Sequence, residues 1–304
     1  MARPDTATMI EIPCPMCGGA HAVKLLDEEI TDMDKGFDYL TETGGHYRIN
    51  RCLSCGFVYS SPVFTEETLS ALYDEAKVDS CMTPSTERGI AINSRRYVDR
   101  LMEYSGITEG RLLDVGCGPG AVLKAAAGAG LDALGVDPGG EAVSAALEAG
   151  CQAQVGLYTR DLFPENSFDL VTVIHVIDHV MSPLDLLKSV HKHLRPGGAV
   201  LLATHNIESL LAKLMGKRFI AYNVQHITYY TPDTLDEMIR RAGLIPVKRL
   251  KSVTTYPLNH LVENGLPYPG PRKALLKALE ITRLGNLALS FPFGNIEAVA
   301  VKPA

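Results

Sequence analysis

From Arg111 onward the apolar residues fall in short runs separated by stretches of helical spacing. Leu112–Val115, Ala133–Val136, Ala153–Val155, Leu170–Val176 and Ala199–Ala203 are strand-sized. Between them, Ala121–Ala129, Glu141–Ala149 and Leu184–Leu194 carry the helical pattern. Strands alternating with helices of this kind predict a parallel sheet wound with right-handed crossovers, an α/β fold. After Thr204 the pattern is irregular. Thr231-Pro232-Asp233 opens a helix that Gly243 stops, and Pro246–Val253 and Ile296–Val301 read as two further strands. The stretch between those strands, about 254–292, carries Pro257, Pro267, Pro269, Pro271 and a helix over Lys273–Leu284. Such an insertion suits a substrate pocket, a surface flap or a homodimer contact.

The N-terminal part is different. Short β-like runs, Tyr47-Arg48-Ile49 and Phe57-Val58-Tyr59, lie among paired cysteines. Residues 65–77 predict a helix capped by Thr65, with Leu69, Leu72 and Tyr73 on one face. Residues 79–86 read as a loop. Residues 88–105 predict a second helix with Ile92, Tyr97, Leu101 and Tyr104 on one side. The expected organisation is a small domain over 1–64, a helical connector over 65–108, and an α/β domain over 109–304.

Composition narrows the functional classes. Of 304 residues 46% are hydrophobic and 21% charged, which excludes a mainly disordered chain. No apolar run reaches the roughly 18–20 residues of a membrane span, and Met1-Ala2-Arg3-Pro4-Asp5 has no signal-peptide character. The expectation is a soluble, cytoplasmic protein with no membrane partner. Seven cysteines, an odd number, argue against a disulfide framework. Residues 1–205 carry 16 Lys/Arg against 28 Asp/Glu, and residues 206–304 carry 13 against 7. The acidic majority opposes a nucleic-acid partner, because phosphate binding needs a positive face.

Asp114-Val115-Gly116-Cys117-Gly118-Pro119-Gly120 joins the first strand to the first helix. Glycines there let the backbone approach a ligand at the strand ends. Gly116-x-Gly118-x-x-Ala121 also fits the dinucleotide pattern, and Asp137, ending the next strand, suits the hydroxyls of a ribose. Asp114 separates the two cofactors. A carboxylate beside a pyrophosphate is repelled, whereas one beside an ammonium and a sulfonium is attracted. S-adenosylmethionine carries both cations.

At this point the chain resembles a family. Leu112 to Gly120 looks like motif I of the class I S-adenosylmethionine-dependent methyltransferases, and Leu134-Gly135-Val136-Asp137-Pro138 like motif II. Ser167 to Val171 and Leu194-Arg195-Pro196-Gly197-Gly198 resemble the runs entering its fourth and fifth strands. The resemblance implies a Rossmann-like, seven-stranded, mostly parallel sheet with helices on both faces and Ile296–Val301 as its antiparallel strand. It places Gly116 and Gly118 beside the methionine part of the cofactor and Asp114 near its ammonium group, with Cys117 and Gly120 of the same turn also among the cofactor-binding residues. Asp137 and Pro138 would lie at the ribose, Leu157 and Tyr158 beside the adenine, and His175 at the methyl-transfer position.

Cys14-Pro15-Met16-Cys17-Gly18 and Cys52-Leu53-Ser54-Cys55-Gly56 are two matched knuckles. Cys14, Cys17, Cys52 and Cys55 make the four-thiolate set that zinc prefers, and a closed site of that kind is structural. Methyltransferases with an N-terminal zinc ribbon show the same knuckle followed by an apolar-aromatic run and a proline, as in Phe57 to Pro62. Some members modify sugars or other small molecules, others ribosomal RNA.

Methyl transfer to a hydroxyl or ring nitrogen calls for an aligned acceptor and a general base. Candidates are His175, Asp178 and His179 after the fourth strand, His205 and Asn206 after the fifth, and Asn223, His226, Tyr229 and Tyr230 beyond. Of these, His175, His179 and His226 are the catalytic candidates. Asp178-His179 resembles a Glu-His pair of the family, and His226 to Pro232 a run preceding the helix over strand five. His191 and His193 read as solvated. The resulting expectation is an O-methyltransferase acting on a small-molecule or sugar hydroxyl. The alternatives are an RNA-base methyltransferase, an NAD-dependent oxidoreductase and a non-catalytic module that keeps the cofactor fold.

Overall fold

The computed structural model of the protein describes residues 9–30, 45–74, 84–265, 269–292 and 294–304. Cys81, Pro267 and most of the loop expected over 79–86 lie outside them. Among the described residues the centre is a seven-stranded sheet. Its strands are β1 (Arg111–Val115), β2 (Asp132–Asp137), β3 (Gln152–Val155), β4 (Phe168–Ile174), β5 (Leu194–His205), β6 (Ile245–Lys251) and β7 (Asn295–Val301). Their order is β3-β2-β1-β4-β5-β7-β6, parallel from β3 to β5, with β7 antiparallel to both its neighbours.

Helices cover both faces, and the strand sequences show why. Leu112 and Leu113 are both buried but point to opposite sides, as do Leu201 and Leu202. On one face Leu112, Leu170, Leu201 and Val299 pack against helices α1 (Pro84–Ser105) and α2 (Ala121–Ala127) through Tyr97, Val98, Leu101, Val122 and Leu123. Helix α3 (Gly140–Glu148) follows β2. On the opposite face Leu113, Val173 and Leu202 meet α4 (Pro183–His193) and α5 (Pro232–Arg241) through Leu187, Val190, Leu235, Met238 and Ile239. Thr231 caps α5 by accepting from the Thr234 N–H, and Pro232 fits the first turn, where no N–H partner is needed.

Several boundaries differ from the sequence pattern, and helix α1 starts at Pro84 rather than at residue 88, so that residues 84–86 of the expected loop are helical. Strand β5 begins at Leu194, five residues before Ala199, because Leu194 already pairs with Phe168 across a register shift. The strand expected over Pro246–Val253 ends at Lys251 as β6, and a separate strand, Thr254–Pro257, follows and pairs with Ala288–Phe291 at the base of the insertion. Between those two lies a helix over Pro269–Thr282, which starts earlier than Lys273 because prolines are tolerated in a first turn.

The N-terminal residues form a small antiparallel sheet, Ala22–Leu26, Ile49–Cys52 and Val58–Ser60, extended by Thr228–Tyr229 from the α/β part. Among the described residues no helix is long and apolar enough to cross a membrane.

Candidate active site

The turn after β1 is held by backbone and by one carboxylate. Gly116 N–H and Cys117 N–H donate to the Val136 carbonyl at 2.8 and 3.2 Å. Asp137 Oδ2 accepts from Gly118 N–H at 2.9 Å, and its Oδ1 accepts from Gly139 N–H at 2.8 Å. Asp137 therefore joins the turns after β1 and β2 into one lip. Gly116 has φ 73°, and a Cβ there would lie 2.3 Å from Val176 Cγ2. Only glycine fits under Val176 at this point.

Asp114 is 2% exposed, and its Oδ1 accepts from Thr172 Oγ1 at 2.7 Å. Burial pushes its carboxyl up to about 7 and the nearby Asp137 charge adds to the rise, while the Thr172 hydrogen bond opposes it. The remaining expected cofactor residues divide. Cys117 packs its sulfur toward Gly135 and Leu123, and Gly120 lies against Ala146 and Cys151. Pro138 follows Asp137 on the lip, and Leu157 is 57% exposed at its edge. The Tyr158 hydroxyl is committed to His193 Nδ1 at 2.7 Å.

That last contact corrects the expectation for His193. It is fully buried, not solvated, with Nε2 3.0 Å from the Arg160 carbonyl. Nε2–H donates to Arg160, leaving Nδ1 to accept from Tyr158. His191 is half-buried.

At the carboxyl ends of β4 and β5 four imidazoles surround one buried carboxylate. Asp178 Oδ2 accepts from Thr204 Oγ1 at 2.8 Å and from His205 Nδ1–H at 3.0 Å. His226 Nε2 is 3.8 Å from Oδ2, and His179 Nε2 is 3.9 Å from Oδ1. The His175 and His205 rings are 4.9 Å apart, His205 and His226 4.8 Å, and His179 and His226 4.7 Å. His175 takes φ 51° immediately after β4, which turns its ring over the sheet end toward Asn295. Burial would raise the Asp178 carboxyl, but the His205 hydrogen bond and the adjoining imidazoles hold it well below the usual carboxylate range. Burial keeps His175 down, at about 4, and lowers His179 and His226 as well. The cluster holds an anionic Asp178 beside the neutral rings of His175, His179 and His226.

His226 is held from outside the cluster. Its Nδ1–H donates to the Ala221 carbonyl at 2.8 Å, and its Nε2 stays 3.8 Å from Asp178 Oδ2, beyond hydrogen-bond distance. The structure thus brings together His175, Asp178, His179, His205 and His226. Sequence reasoning passed over Thr172, Thr204 and Val176, whose partners lie 26–60 residues away and leave no local signal.

The four knuckle cysteines also converge. Cys14 Sγ lies 3.5 Å from Cys55 Sγ and Cys17 Sγ 3.6 Å from Cys52 Sγ, too long for disulfides. Four sulfurs about 2.3 Å from a tetrahedral zinc would stand roughly 3.8 Å apart, so the donor set fits that ion. A Cβ on Gly19 would sit 3.3 Å from both Cys17 and Cys52 Sγ, so the chain leaves this side of the cradle clear.

A parallel sheet reversing at β1, a glycine turn closed by Asp137 and a buried Asp114 define a cofactor-binding methyltransferase fold. The comparisons agree. The family model described as "Methyltransferase domain" matches residues 90–248, and the chain belongs to that family. It is an S-adenosylmethionine-dependent methyltransferase, and the oxidoreductase alternative falls. The chain is 29% identical over 175 residues to the ubiquinone biosynthesis O-methyltransferase of Pseudomonas aeruginosa, covering 53% of this chain and 75% of that one. It is 30% identical over 167 residues to the protein of the same name from Aliivibrio fischeri, covering 50% and 71%. A chain in a solved complex containing the Haloferax volcanii Trm112 methyltransferase activator matches with TM-score 0.52 at 19% identity, covering 72% of this chain and 93% of that chain, which bears on the fold alone.

Proposed function

We propose that the protein transfers the methyl group of S-adenosylmethionine to a hydroxyl of a small-molecule acceptor. The observation that carries this reading is the His205–Asp178 pair at the ends of β5 and β4, beside the glycine turn. When bound, S-adenosylmethionine supplies a methyl group already activated on a sulfonium. Gly116 and Gly118 would admit its methionine part, Asp114 would face its ammonium, and Asp137 would receive ribose hydroxyls on lone pairs not used by Gly118 and Gly139. His205 Nε2, with Nδ1–H held on Asp178, accepts the proton that the acceptor hydroxyl loses as its oxygen takes the methyl group. Asp178 then stabilises the imidazolium. His175, His179 and His226 wall the site as neutral rings. The O-methyltransferase names of the relatives support a hydroxyl acceptor. Turnover of S-adenosylmethionine to S-adenosylhomocysteine with a panel of catechols and sugars tests the reading. Turnover with RNA alone would replace it.

The Asp114 carboxyl gives a pH signature. A bound ammonium favours its ionised form, so binding must displace a proton wherever the free protein holds one. Affinity for S-adenosylhomocysteine should rise between about pH 6 and 8 and level off above, by up to about ten-fold per unit on the steep limb. Calorimetry across that range checks it, and a flat profile would remove Asp114 from the ammonium.

For the cysteines the reading is one structural zinc per chain, held by Cys14, Cys17, Cys52 and Cys55. Cys14→Ser should lower the zinc content from about one per chain to near zero in elemental analysis. Full metal content in that variant would sink the four-thiolate site.

A further inference from the structure

We infer that the cysteine ribbon positions the methyl-transfer site, acting through Ser60 and Tyr229 on His226. The inference rests on the proposed assignment of the histidine cluster to the acceptor end of the site. The connection is short and continuous. Gly56 N–H closes the second knuckle on the Cys52 carbonyl at 2.9 Å, with Gly56 at φ 74°, and the chain runs straight into the strand Val58–Ser60. That strand pairs antiparallel with Thr228–Tyr229, Tyr59 opposite Thr228 and Val58 opposite Tyr229. Beyond the pairing, Ser60 N–H donates to the Ile227 carbonyl at 2.7 Å. Ser60 Oγ lies 3.2 Å from Tyr229 Oη and 3.4 Å from the His226 carbonyl, and Tyr229 Oη–H donates to that same carbonyl at 3.0 Å.

The opposite edge of this segment is fixed by the residue at the centre of the cluster. Ile227 and Thr228 N–H donate to the Asp178 carbonyl at 2.7 and 3.1 Å, and Thr228 Oγ1 donates to the Ile177 carbonyl at 3.0 Å. His226 is thus carried on a strip held between the ribbon and the Asp178 loop. Ser60 is fully buried, Tyr229 2% exposed and His226 5% exposed, so water does not substitute for these contacts. Cys14, Met16, Cys52 and Phe57 share a core with Tyr230, Leu235, Met238 and Ile239, and the Phe57 and Tyr230 rings meet at 5.3 Å. Arg241 also donates to the Met16 carbonyl at 3.4 Å. A ribbon acting only as an independent module would need none of this.

Ser60 is a positioning residue, and its test reads His226 directly. The His226 Nδ1–H on the Ala221 carbonyl gives a protected imidazole proton in nitrogen-edited NMR spectra of the full chain, assigned by its loss in His226→Gln. In Ser60→Ala that proton should exchange about ten-fold faster, as should the Ile227 and Thr228 amides. Affinity for S-adenosylhomocysteine should stay within about two-fold, and Ser60→Thr should restore protection. Removing the zinc with a chelator should produce the same loss. Unchanged exchange in Ser60→Ala overturns the inference. So does loss of S-adenosylhomocysteine binding together with protection, which would make the contact one of general stability. Because no acceptor is needed, a failed O-methylation assay leaves this readout standing, and the two proposals fail separately.

Discussion

Replacing His205 with alanine should lower kcat by roughly 100- to 10,000-fold with the acceptor that supports turnover, the range by which a positioned base accelerates proton transfer. S-adenosylhomocysteine affinity should change by less than about two-fold, because the glycine turn and its acidic partners are untouched. The reasoning is geometric. Of the four rings, His205 alone donates a hydrogen bond directly to Asp178, at 3.0 Å, while His179 and His226 stand 3.9 and 3.8 Å away. Asp178→Asn keeps the shape and the backbone carbonyl that holds Ile227 and Thr228. It removes the negative charge that stabilises an imidazolium and should lower kcat by roughly 10- to 100-fold. Rates measured for both variants decide the matter; a His205→Ala enzyme within about three-fold of wild type would transfer the base role elsewhere.

Asp137→Ala should weaken S-adenosylhomocysteine binding by roughly 100-fold or more. Two effects combine. The variant loses the charge-assisted hydrogen bonds proposed for the ribose, each about 1.5–3 kcal/mol when made to a charged group. It also frees the N–H groups of Gly118 and Gly139, so the turns after β1 and β2 lose their common anchor. Asp137→Asn separates the two, since the amide oxygen can still accept from one glycine but carries no charge. Calorimetry with all three proteins reads the difference. Wild-type affinity in Asp137→Ala would discard the ribose role.

Much of this was legible in the chain. The strand runs place Asp114, Asp137 and His175 at neighbouring strand ends, because a parallel sheet with crossover helices leaves few other arrangements. The matched Cys-x-x-Cys-Gly spacing anticipated the convergence of four sulfurs. Other features were hidden for definite reasons. His193 looked solvated because His191 and His193, two apart on a helix, cannot share a face, yet Tyr158, 35 residues earlier, supplies the partner that lets His193 be buried. Strand β5 was read short because Arg195-Pro196-Gly197-Gly198 has turn composition, although Leu194 already pairs with β4. The Ser60–Tyr229 contact joins residues 169 positions apart, and no periodicity reports a pairing of that range. His205 stood among the sequence candidates, but only the Asp178 hydrogen bond sets it apart from its neighbours.

A crystal structure of the protein with S-adenosylhomocysteine tests the central claim most directly. The account predicts the amino group beside Asp114, the ribose on Asp137, and the thioether sulfur at the end of β4, facing His175 and His205. A ligand lying away from the glycine turn, or with its sulfur turned away from the His205–Asp178 pair, would contradict it.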